Sequence, residues 1–527
     1  MFKRAQNSPT LSRFGLDFGN ELLKIQARTL AMPTVLLGGD RTADISTNDG
    51  SLLGRDLRFQ TPAAVLPFVL VQLTTGAENV QVSDKVDEEF MVFVQRLLRR
   101  CGDSGMTRPP GTRPEAMFLL SLGDRRDDPR NDIEGLFTRQ IAPLKAKITS
   151  GQIPLIFCML PNNDPKYYNA IKRAGDVLAG VLTICMDGTK LAKFANGKAA
   201  DSYCNTLALK VNLKCGGVNH STQSDPGLQG IFPGLKSNSV MLLGADVSHS
   251  GRRDLPSITA IVGTYEPSHS RPYSEISYQT NKEMIESMTE GVRNHLKRFH
   301  TMHRTLPRYI VMFRDGVSES QYRQVLDQEV VAIDVAIDRA LQELGSGTAP
   351  ERPKLMVLVV GKRHHTRFFP PGAKDDHQKT LPGLVVDRAV TAIYEKDFYL
   401  QAHGAIQGTP RPAHYFVVRD DMQLSDAQIQ QLVFTWSFSF GRSFRSVSYA
   451  PPAYCADLAC GRARAWIQHK VDDIRGGLNL YPASTGGSTT TTGGSADIRA
   501  AAVANLNGIA RDCGNLHKDL EETMWYI

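Results

Sequence analysis

Apolar residues in the first half of the chain form short runs separated by helix-like stretches. The runs at 64–73, 116–122 and 154–160 are bounded by Gly, Pro, Asn or Asp and are typical of buried strands. The stretch at 84–100 has the spacing of a helix, and a further helix is predicted to begin at Lys166. This alternation of strands and helices indicates a doubly wound α/β domain.

A second α/β unit begins with the apolar run at 240–246. Two more apolar runs, at 257–265 and 273–280, follow with short Gly-, Pro- and Ser-containing connections, which predicts an antiparallel meander. A predicted helix at 282–299 leads to a fourth strand at 308–315. A strand that arrives by such a crossover can pair beside the first strand of the meander.

Two later helices carry signals for their N-termini. Ser318 with Gln321, and Ser425 with Gln428, have the spacing of a capping box. A final helix, rich in small apolar residues, contains the isolated carboxylate Asp457. An Asp inside a helix is mildly unfavourable because its side chain competes for hydrogen bonds with nearby backbone groups. The position of Asp457 therefore needs an explanation.

These patterns divide the chain into a connector at 1–57, an α/β domain at 58–225 and a second α/β domain at 226–527. With 527 residues, the chain is too long for one hydrophobic core, which agrees with this division. Residues 484–495 read S-T-G-G-S-T-T-T-T-G-G-S, a composition typical of a disordered surface loop.

Composition narrows the class of protein only modestly. A net charge of +7 and a pI near 8.9 permit an anionic partner without requiring one. The eight cysteines form no C-x-x-C pair and several lie in apolar runs, which indicates reduced thiols, a reducing compartment and no structural zinc. No apolar run reaches the about 18 residues of a membrane span, and the N-terminus lacks the apolar core of a secretory signal. We expect a cytoplasmic protein, with the nucleus as the alternative, and no membrane partner.

Two acidic residues close apolar strands of the second domain. Asp246 ends the run V-M-L-L-G-A, and Asp315 ends Y-I-V-M-F-R. Each alone is readily explained as a turn residue. If the fourth strand pairs with the first, however, both carboxylates lie side by side at a sheet edge, where α/β proteins build their sites. Like charges at short range are avoided unless they are protonated or bridged by a cation.

A hard divalent cation with oxygen ligands, Mg²⁺ or Mn²⁺, would resolve that repulsion. Two such ions can activate a water molecule and stabilise the leaving oxygen in phosphodiester cleavage. Asp457, on a helix packed against the sheet, is the candidate for the third ligand beside Asp246 and Asp315. The order of meander, crossover helix, strand and helix-borne acid is that of a ribonuclease-H-like fold.

Five motifs then occur in a characteristic order. They are L-G-A-D-V-S-H at 243–249, F-R-D-G-V-S-E at 313–319, K-R-H-H-T-R at 362–367, Q-G-T-P-R-P at 407–412 and R-S-V-S-Y-A-P-P-A-Y at 445–454. Together they resemble the PIWI domain of eukaryotic Argonautes, and the resemblance extends from about residue 20 to the C-terminal T-M-W-Y-I. Overall divergence and the Ser/Thr/Gly-rich insert resemble fungal members of the gene-quelling type.

The resemblance implies a Rossmann-like MID domain at 58–225, preceded by an L2-like linker, and an RNase H-like PIWI domain at 226–527. It also implies a catalytic tetrad for cutting target RNA. Asp246 and Asp315 match its two strand-borne aspartates, and Asp457 matches the fourth position, often His in animal members. Y-Q-T-N-K-E matches the segment with the mobile glutamate, which makes Glu283 the candidate and Glu286 its competitor. An exposed acid near the start of a helix, where negative charge is favoured, is nearly as good an explanation of Glu283.

The MID domain of this family holds the 5′-phosphate of a small guide RNA. The residues that match its pocket are Tyr168, Lys172, Lys210, Lys214 and, from the PIWI domain, Arg462. Tyr168 and Lys172 are four residues apart and face one way on a helix, so that a ring could stack on the first base beside a charge for the phosphate.

Two assignments in this pocket are less direct. Counted without gaps, the base-contacting position of the family falls on Ile184, which cannot hydrogen-bond, so its neighbour Thr183 is assigned instead. Alternating apolar residues at 207–213 suggest a strand, whereas the family pattern suggests a helix. Arg442 and Arg445 match residues near the guide backbone.

The resemblance predicts an RNA-guided endoribonuclease that binds a 5′-phosphorylated guide RNA, cuts complementary target RNA with two Mg²⁺ or Mn²⁺ ions, and works with silencing-complex proteins. The alternative is a guide-binding scaffold that silences by recruiting partners without cutting. A third reading, an RNase-H-like DNA nuclease or recombinase, does not explain the MID half. No PAZ or N-terminal domain precedes the linker, so the chain is expected to be a fragment.

Overall fold

A computed structural model describes most of the chain. It covers residues 9–15, 22–53, 58–107, 113–123, 128–148, 152–190, 198–232, 239–344, 351–370, 380–405, 408–476 and 495–527. The predicted loop at 484–495 lies outside these residues, except for Ser495, which begins a helix. None of the helices in the described ranges combines the length and apolar character needed to cross a membrane.

The N-terminal segment has little regular structure of its own. It contains α1 (Pro9–Arg13), β1 (Arg28–Thr29), β2 (Asp44–Ile45) and β3 (Leu52–Leu53). The strands β2 and β3 pair with each other, while β1 joins the edge of the large sheet of the second domain. Leu36 bridges to Ser221 of the first domain and Ser51 to Arg445 of the second, so the segment contacts both domains.

The first domain is a five-stranded sheet with helices on both faces. Its strands are β4 (Phe68–Ala77), β5 (Gln81–Ser83), β6 (Ala116–Gly123), β7 (Leu155–Leu160) and β8 (Leu182–Asp187), in the spatial order β5-β6-β4-β7-β8. All pairs are parallel except that of β5 with β6. Its helices are α2 (Glu88–Asp103), α3 (Arg130–Leu136), α4 (Ala142–Lys147), α5 (Pro165–Arg173) and α6 (Lys198–Lys214), with π-helical turns at Phe137–Ile141 and Ala174–Ala179.

The second domain contains a nine-stranded mixed sheet. Its further strands are β9 (Val240–Ser248), β10 (Ser257–Gly263), β11 (Tyr273–Gln279), β12 (Tyr309–Asp315), β13 (Lys354–Gly361), β14 (Leu384–Val386), β15 (Asp397–Gln401) and β16 (Ala413–Asp420). The order is β1-β14-β15-β16-β13-β12-β9-β10-β11. The predicted meander β9-β10-β11 is antiparallel, and β12 returns to pair in parallel with β9.

Helices cover both faces of this sheet. They are α7 (Pro226–Ile231), α8 (Met288–His303), α9 (Tyr322–Gln324), α10 (Val331–Leu344), α11 (Asp426–Trp436), α12 (Pro451–Arg475) and α13 (Ser495–Cys513), with single turns of other helix types at Glu319–Gln321, Val325–Val330 and Lys518–Leu520. Both predicted capping boxes are present, at Ser318 with Gln321 and at Ser425 with Gln428.

Helix α12 ties the two domains together. It packs on β9 and β10 of the large sheet and on α5 of the first domain. One continuous buried cluster accordingly includes Phe157 of the first domain, Ile258 of the second and Trp466 of α12. Small residues permit this packing: a Cβ on Gly244 of β9 would lie 2.1 Å from the backbone carbonyl carbon of Pro452.

Several predicted boundaries are wrong. Helix α2 begins at Glu88 rather than at 84, and β4 begins at Phe68 rather than at 64. The segment 207–213 belongs to helix α6, as the family pattern predicts. Its apolar residues are buried on all sides of the helix, so their alternation along the sequence does not distinguish a strand from a helix. Asp246 lies inside β9, which continues to Ser248.

The predicted helix at 282–299 begins only at Met288 and ends at His303. The Gln279 side chain holds the preceding residues in an irregular turn: its amide donates to the carbonyls of Lys282 (2.7 Å) and Met284 (3.0 Å). The backbone N–H of Ile285 donates to Glu329 instead of to a helical carbonyl. Glu283 is therefore not an exposed acid in the first turn of a helix.

Candidate active site and candidate guide pocket

Sheet register places two aspartates side by side. Ala245 of β9 pairs with Arg314 of the parallel strand β12, so the next residues, Asp246 and Asp315, are neighbours on the opposite face. Helix α12 packs against that part of β9 and carries Asp457. The sequence prediction that a crossover strand would bring Asp315 beside Asp246 is thus met by the topology.

Electrostatics couple the three carboxylates. Burial raises the pKa of Asp246 to about 7, and the negative charges of Asp315 and Asp457 add to this effect. Burial also raises the pKa of Asp315, against the opposing effect of a 2.7 Å hydrogen bond from the Gly316 N–H. Burial raises the pKa of Asp457, against the nearby positive charge of Lys362. Raised carboxylate pKa values at neighbouring positions, the deepest at the buried Asp246, are typical of a functional site.

Glu283 lies at the same pocket, on the irregular turn before α8. A Cβ on Gly316 would lie 3.2 Å from an Asp246 carboxylate oxygen and 3.6 Å from a Glu283 carboxylate oxygen. One Glu283 oxygen accepts a hydrogen bond from Arg314 (3.2 Å), and the other lies 2.9 Å from Nε2 of His249. Although burial opposes it, these partners hold the pKa of Glu283 below its usual value. Glu286, in contrast, pairs with Lys282 at the surface.

Arg314 fixes the turn that carries Glu283. Its side chain is fully buried and donates to both Glu329 oxygens, at 3.2 and 2.9 Å, and to the Glu283 backbone carbonyl at 2.6 Å. Because Glu329 is also buried, the pair orients the guanidinium rigidly. The sequence signal for Arg314 was its place next to Asp315, but its role needed the partner Glu329 from the following helix.

The donor set is chemically suited to Mg²⁺ or Mn²⁺, since every predicted ligand is a carboxylate. In the described residues, however, no group of three or more His, Cys, Asp and Glu side chains has the arrangement that could hold a metal ion. The predicted centre of Asp246, Asp315 and Asp457 is therefore not preformed. Like charges repel, and Asp315, for example, accepts a hydrogen bond from the Gly316 N–H at 2.7 Å.

A second cluster lies where α5, β8 and α12 meet. Lys172, only 2% exposed, donates from Nζ to the Thr183 hydroxyl (2.7 Å) and carbonyl (3.1 Å). Arg462 of α12 donates to both oxygens of Asp176, at 2.7 and 3.0 Å, and approaches the same Thr183 hydroxyl at 3.3 Å. Arg462 thus reaches from the second domain into the first, while Asp457 on the same helix faces the acidic site.

The remaining predicted pocket residues surround this cluster. Tyr168 is exposed at its rim, with Nζ of Lys172 5.2 Å from its ring centre. Lys214 is buried and donates to the Trp525 carbonyl at 2.7 Å. Burial, followed by the positive charges of Arg442 and Lys172, lowers the pKa of Lys210 to about 8. Lys210 thus lies in a largely buried environment that it shares with other cations.

Thr183 is not placed for the predicted contact with a guide base. Its side chain is 1% exposed and its hydroxyl is engaged by Lys172 and Arg462, so it organises cations at the pocket floor. Two arginines are predicted to contact the backbone of the guide RNA. Arg442 is partly buried near Lys210. Arg445 is exposed, 3.7 Å from a carboxylate oxygen of Asp49.

Comparison with known proteins identifies the family. The Piwi domain family model matches residues 155–468, from β7 to α12. The chain belongs to the Piwi domain family. Protein argonaute 7 of Arabidopsis thaliana is 33% identical over 351 residues, which are 66% of this chain and 34% of that protein. The chain therefore spans about a third of the length of this curated relative.

Solved structures agree on the fold. The C-terminal lobe of a budding yeast Argonaute is 21% identical, with a TM-score of 0.73 over 95% of both chains. Kluyveromyces polysporus Argonaute with a guide RNA is 21% identical, with a TM-score of 0.78 over 99% of this chain and 59% of that one. The first domain of this Piwi family member is a Rossmann-like MID domain, and the second is an RNase H-like PIWI domain.

Sequence reasoning missed four residues that organise these sites: Asp176, His249, Arg314 and Glu329. Asp176 is the buried counter-ion of Arg462 and also accepts from the Trp466 indole N–H at 3.1 Å. Nothing in the local sequence distinguishes it, because its partners come from a helix nearly 290 residues away. His249 stood inside a recognised motif and could have been proposed from that position.

Proposed function

We propose that this Piwi family member acts in RNA-guided silencing, holding the 5′-phosphate of a small guide RNA in its MID domain and cutting complementary target RNA in its PIWI domain. The register that sets Asp246 beside Asp315, with Asp457 on the helix packed against them, carries the proposal. A scaffold without nuclease activity has no need of three neighbouring carboxylates with raised pKa values in this place.

Asp246, Asp315 and Asp457 would hold Mg²⁺ or Mn²⁺, two ions in the active state. Bound there, the ions supply a nucleophilic water and stabilise charge on the scissile phosphate. The chain contributes the geometry: the sheet fixes two acids, α12 delivers the third, and the Arg314–Glu329 pair holds Glu283 at the rim. The products would carry a 5′-phosphate and a 3′-hydroxyl.

Cleavage is tested with the protein loaded with a 5′-phosphorylated guide RNA and given complementary RNA with Mg²⁺. We expect one cut opposite the guide centre that Asp315→Ala abolishes. Asp327→Ala is the matched control, because Asp327 lies on the same connection but its pair with Arg323 is exposed to solvent. A cut that Asp315→Ala leaves unchanged would refute the assignment.

The identity of the fourth acid has its own test. Glu283→Ala should abolish or strongly reduce cleavage while leaving guide binding intact, because Glu283 borders the acidic pocket. Glu286→Ala should leave cleavage unchanged, since that side chain pairs with Lys282 at the surface. The reverse pattern would assign the role to Glu286.

The guide pocket rests on Lys172, Lys210, Lys214 and Arg462, cations gathered beside the exposed ring of Tyr168. Charge-assisted hydrogen bonds are each worth about 1.5–3 kcal/mol, so a guide with a 5′-hydroxyl should bind at least about tenfold more weakly. Lys210→Ala should remove most of this preference. Lys166→Ala, on the exposed start of α5, should keep it. Equal affinity of the unmodified protein for both guides would refute the pocket.

Silencing by recruitment of partner proteins without cutting is the alternative function, and it predicts guide binding with no effect of Asp315→Ala. The assignment to a fungal quelling-type Argonaute, a cytoplasmic or nuclear location and silencing-complex partners belong to the same proposal. Their support is the family membership and the Ser/Thr/Gly-rich segment at 484–495.

A further inference from the structure

A cavity of about 650 Å³ lies where the N-terminal segment meets the end of helix α2. Three separate stretches of the chain contribute to it: the turn at 38–41, the start of the first domain and the last turn of α2. Asp103 is the one acid among the described residues that line the cavity, against three arginines, which leaves them a net charge of +2. We call this cavity the arginine pocket, and its lining residues are Gly38, Gly39, Arg41, Arg58, Arg100 and Asp103.

Backbone contacts hold the three stretches together. The Gly38 N–H donates to the Arg58 carbonyl at 3.1 Å, and the Phe59 N–H donates to the Ser104 carbonyl, just after α2, at 2.9 Å. A Cβ on Gly38 would lie 2.4 Å from the Phe59 carbonyl oxygen and 3.0 Å from the Arg58 Cβ, so only glycine permits this approach. The arrangement of the arginines is therefore built into the backbone.

Two of the three guanidinium groups have no partner of their own. Arg41 donates from Nε to the Gly38 carbonyl at 3.4 Å. Across the part of the chain that the structure describes, the side chains of Arg58 and Arg100 make neither a hydrogen bond nor an ion pair, and Nε of Arg100 is buried without an acceptor. Because an unsatisfied buried donor is costly, such groups normally meet an acceptor from outside the chain.

The negative end of the α2 dipole explains only one of these arginines. Arg100 lies in the last turn of α2, where a positive charge is favourable. Arg41 and Arg58 come from outside that helix and are exposed. The last carbonyls of α2 also need no arginine, since the Ser104 N–H donates to those of Arg100 and Gly102. The convergence of three arginines therefore needs a different explanation.

We propose that the arginine pocket binds a phosphate-bearing anion through consecutive phosphate groups. Guanidinium groups present paired N–H donors that match phosphate oxygens. None of the described lining residues is aromatic or apolar, so a nucleobase has no surface to stack on and the phosphates carry the recognition. The cavity has the volume of a small-molecule site, which is more than one phosphate group requires.

Free polyphosphate and the backbone of an RNA both offer consecutive phosphate groups. The arginine pocket shares no residue with the proposed guide pocket, so this inference does not depend on the proposed function. It adds a second anion site, formed by the N-terminal segment together with α2.

Inorganic tripolyphosphate is the probe, and calorimetric titration measures its affinity and stoichiometry. Because the proposed guide pocket could also bind it, the protein is titrated after loading with a 5′-phosphorylated guide and, separately, as Lys210→Ala, which needs no guide. We expect one tripolyphosphate per chain in both cases. No saturable binding in either case would overturn the proposal.

Single arginine variants locate the bound anion. Arg58→Ala and Arg100→Ala should each weaken tripolyphosphate binding at least about tenfold, because each removes a charge-assisted contact. Arg99→Ala is the matched control: it removes the same charge from the neighbouring position of α2, but Arg99 does not line the pocket. Unchanged affinity in Arg58→Ala and Arg100→Ala, or an equal loss in Arg99→Ala, would overturn the site.

A chemical footprint checks the site in the unmodified protein. Phenylglyoxal modifies accessible guanidinium groups, and peptide mass spectrometry reads the extent at each arginine. Tripolyphosphate should protect Arg58 but not Arg99, although both are exposed. Equal modification of the two with and without tripolyphosphate would contradict the proposal even if a variant failed to fold.

A short RNA with a 5′-hydroxyl distinguishes the two sources of phosphate. It carries backbone phosphates but lacks the terminal phosphate that the proposed guide pocket requires. If this RNA displaces tripolyphosphate from the unmodified protein, the pocket accepts an RNA backbone; if it does not, the pocket selects free polyphosphate. Either result supports the anion site, provided that Arg58→Ala weakens tripolyphosphate binding and Arg99→Ala does not.

Discussion

Asp246 combines deep burial with two like-charged neighbours, and this has a consequence for stability. Its pKa is about 7 in the folded protein and about 3.9 in an unfolded chain, so the native state binds the extra proton between these values. The free energy of unfolding should therefore fall as pH rises from about 4 to 7. Asp246→Asn removes this titration and should stabilise the protein by up to about 4 kcal/mol at pH 8, with no gain at pH 4.

Urea unfolding at both pH values measures this difference. Asp327→Asn is the control, because an exposed pair such as Arg323–Asp327 contributes less than about 1 kcal/mol. Adding Mg²⁺ at pH 8 should raise the stability of the unmodified protein more than that of Asp246→Asn, a readout that does not depend on cleavage. A stability difference that is the same at pH 4 and pH 8 would contradict the raised pKa of Asp246.

At the scale of one element, helix α12 depends on a close approach to β9. A Cβ on Gly244 would lie 2.1 and 2.2 Å from the carbonyl carbon and oxygen of Pro452, so Gly244→Ala must push the helix away from the strand. We expect a loss of about 1–3 kcal/mol in the free energy of unfolding and a strong loss of cleavage, because Asp457 moves with the helix.

Gly461 supplies the matched control within the same helix. A Cβ there meets no atom within 4 Å, so Gly461→Ala should stabilise the protein by about 0.4–1 kcal/mol through its higher helix propensity. Both variants are measured by urea unfolding and by cleavage of guide-complementary RNA. If Gly244→Ala retained full cleavage, the position of Asp457 would not be important for the cleavage reaction.

The elements themselves differ in how far the sequence predicts them. The meander and the capping boxes at Ser318 and Ser425 follow from local signals, and the structure contains them. The irregular turn around Glu283 does not, because it exists through the side chains of Gln279 and Glu329, one of them from a later helix. The lysines of the MID pocket are predicted only by the family motifs, because an isolated lysine in a sequence is ordinarily a solvated surface charge.

At the scale of the whole molecule, one buried ion pair joins the two domains. Asp176 and Arg462 have side chains 1% and 3% exposed, and they come from the MID domain and from α12 of the PIWI domain. Removing one partner leaves an uncompensated buried charge, so Asp176→Ala should cost about 3–5 kcal/mol. It should also separate the unfolding of the two domains into two calorimetric transitions. Asp201→Ala is the control, because Asp201 is exposed and its Arg96 partner lies within the same domain.

Replacing both partners separates stability from recognition. Buried ion pairs can often be exchanged for apolar residues of similar size without loss of stability, so Asp176→Leu with Arg462→Met should recover most of what Asp176→Ala loses. The double variant should nevertheless lose the preference for a 5′-phosphorylated guide, because its pocket lacks the Arg462 charge. Full phosphate preference in that variant, measured by competition between phosphorylated and hydroxyl-ended guides, would mean that Arg462 serves only to join the domains.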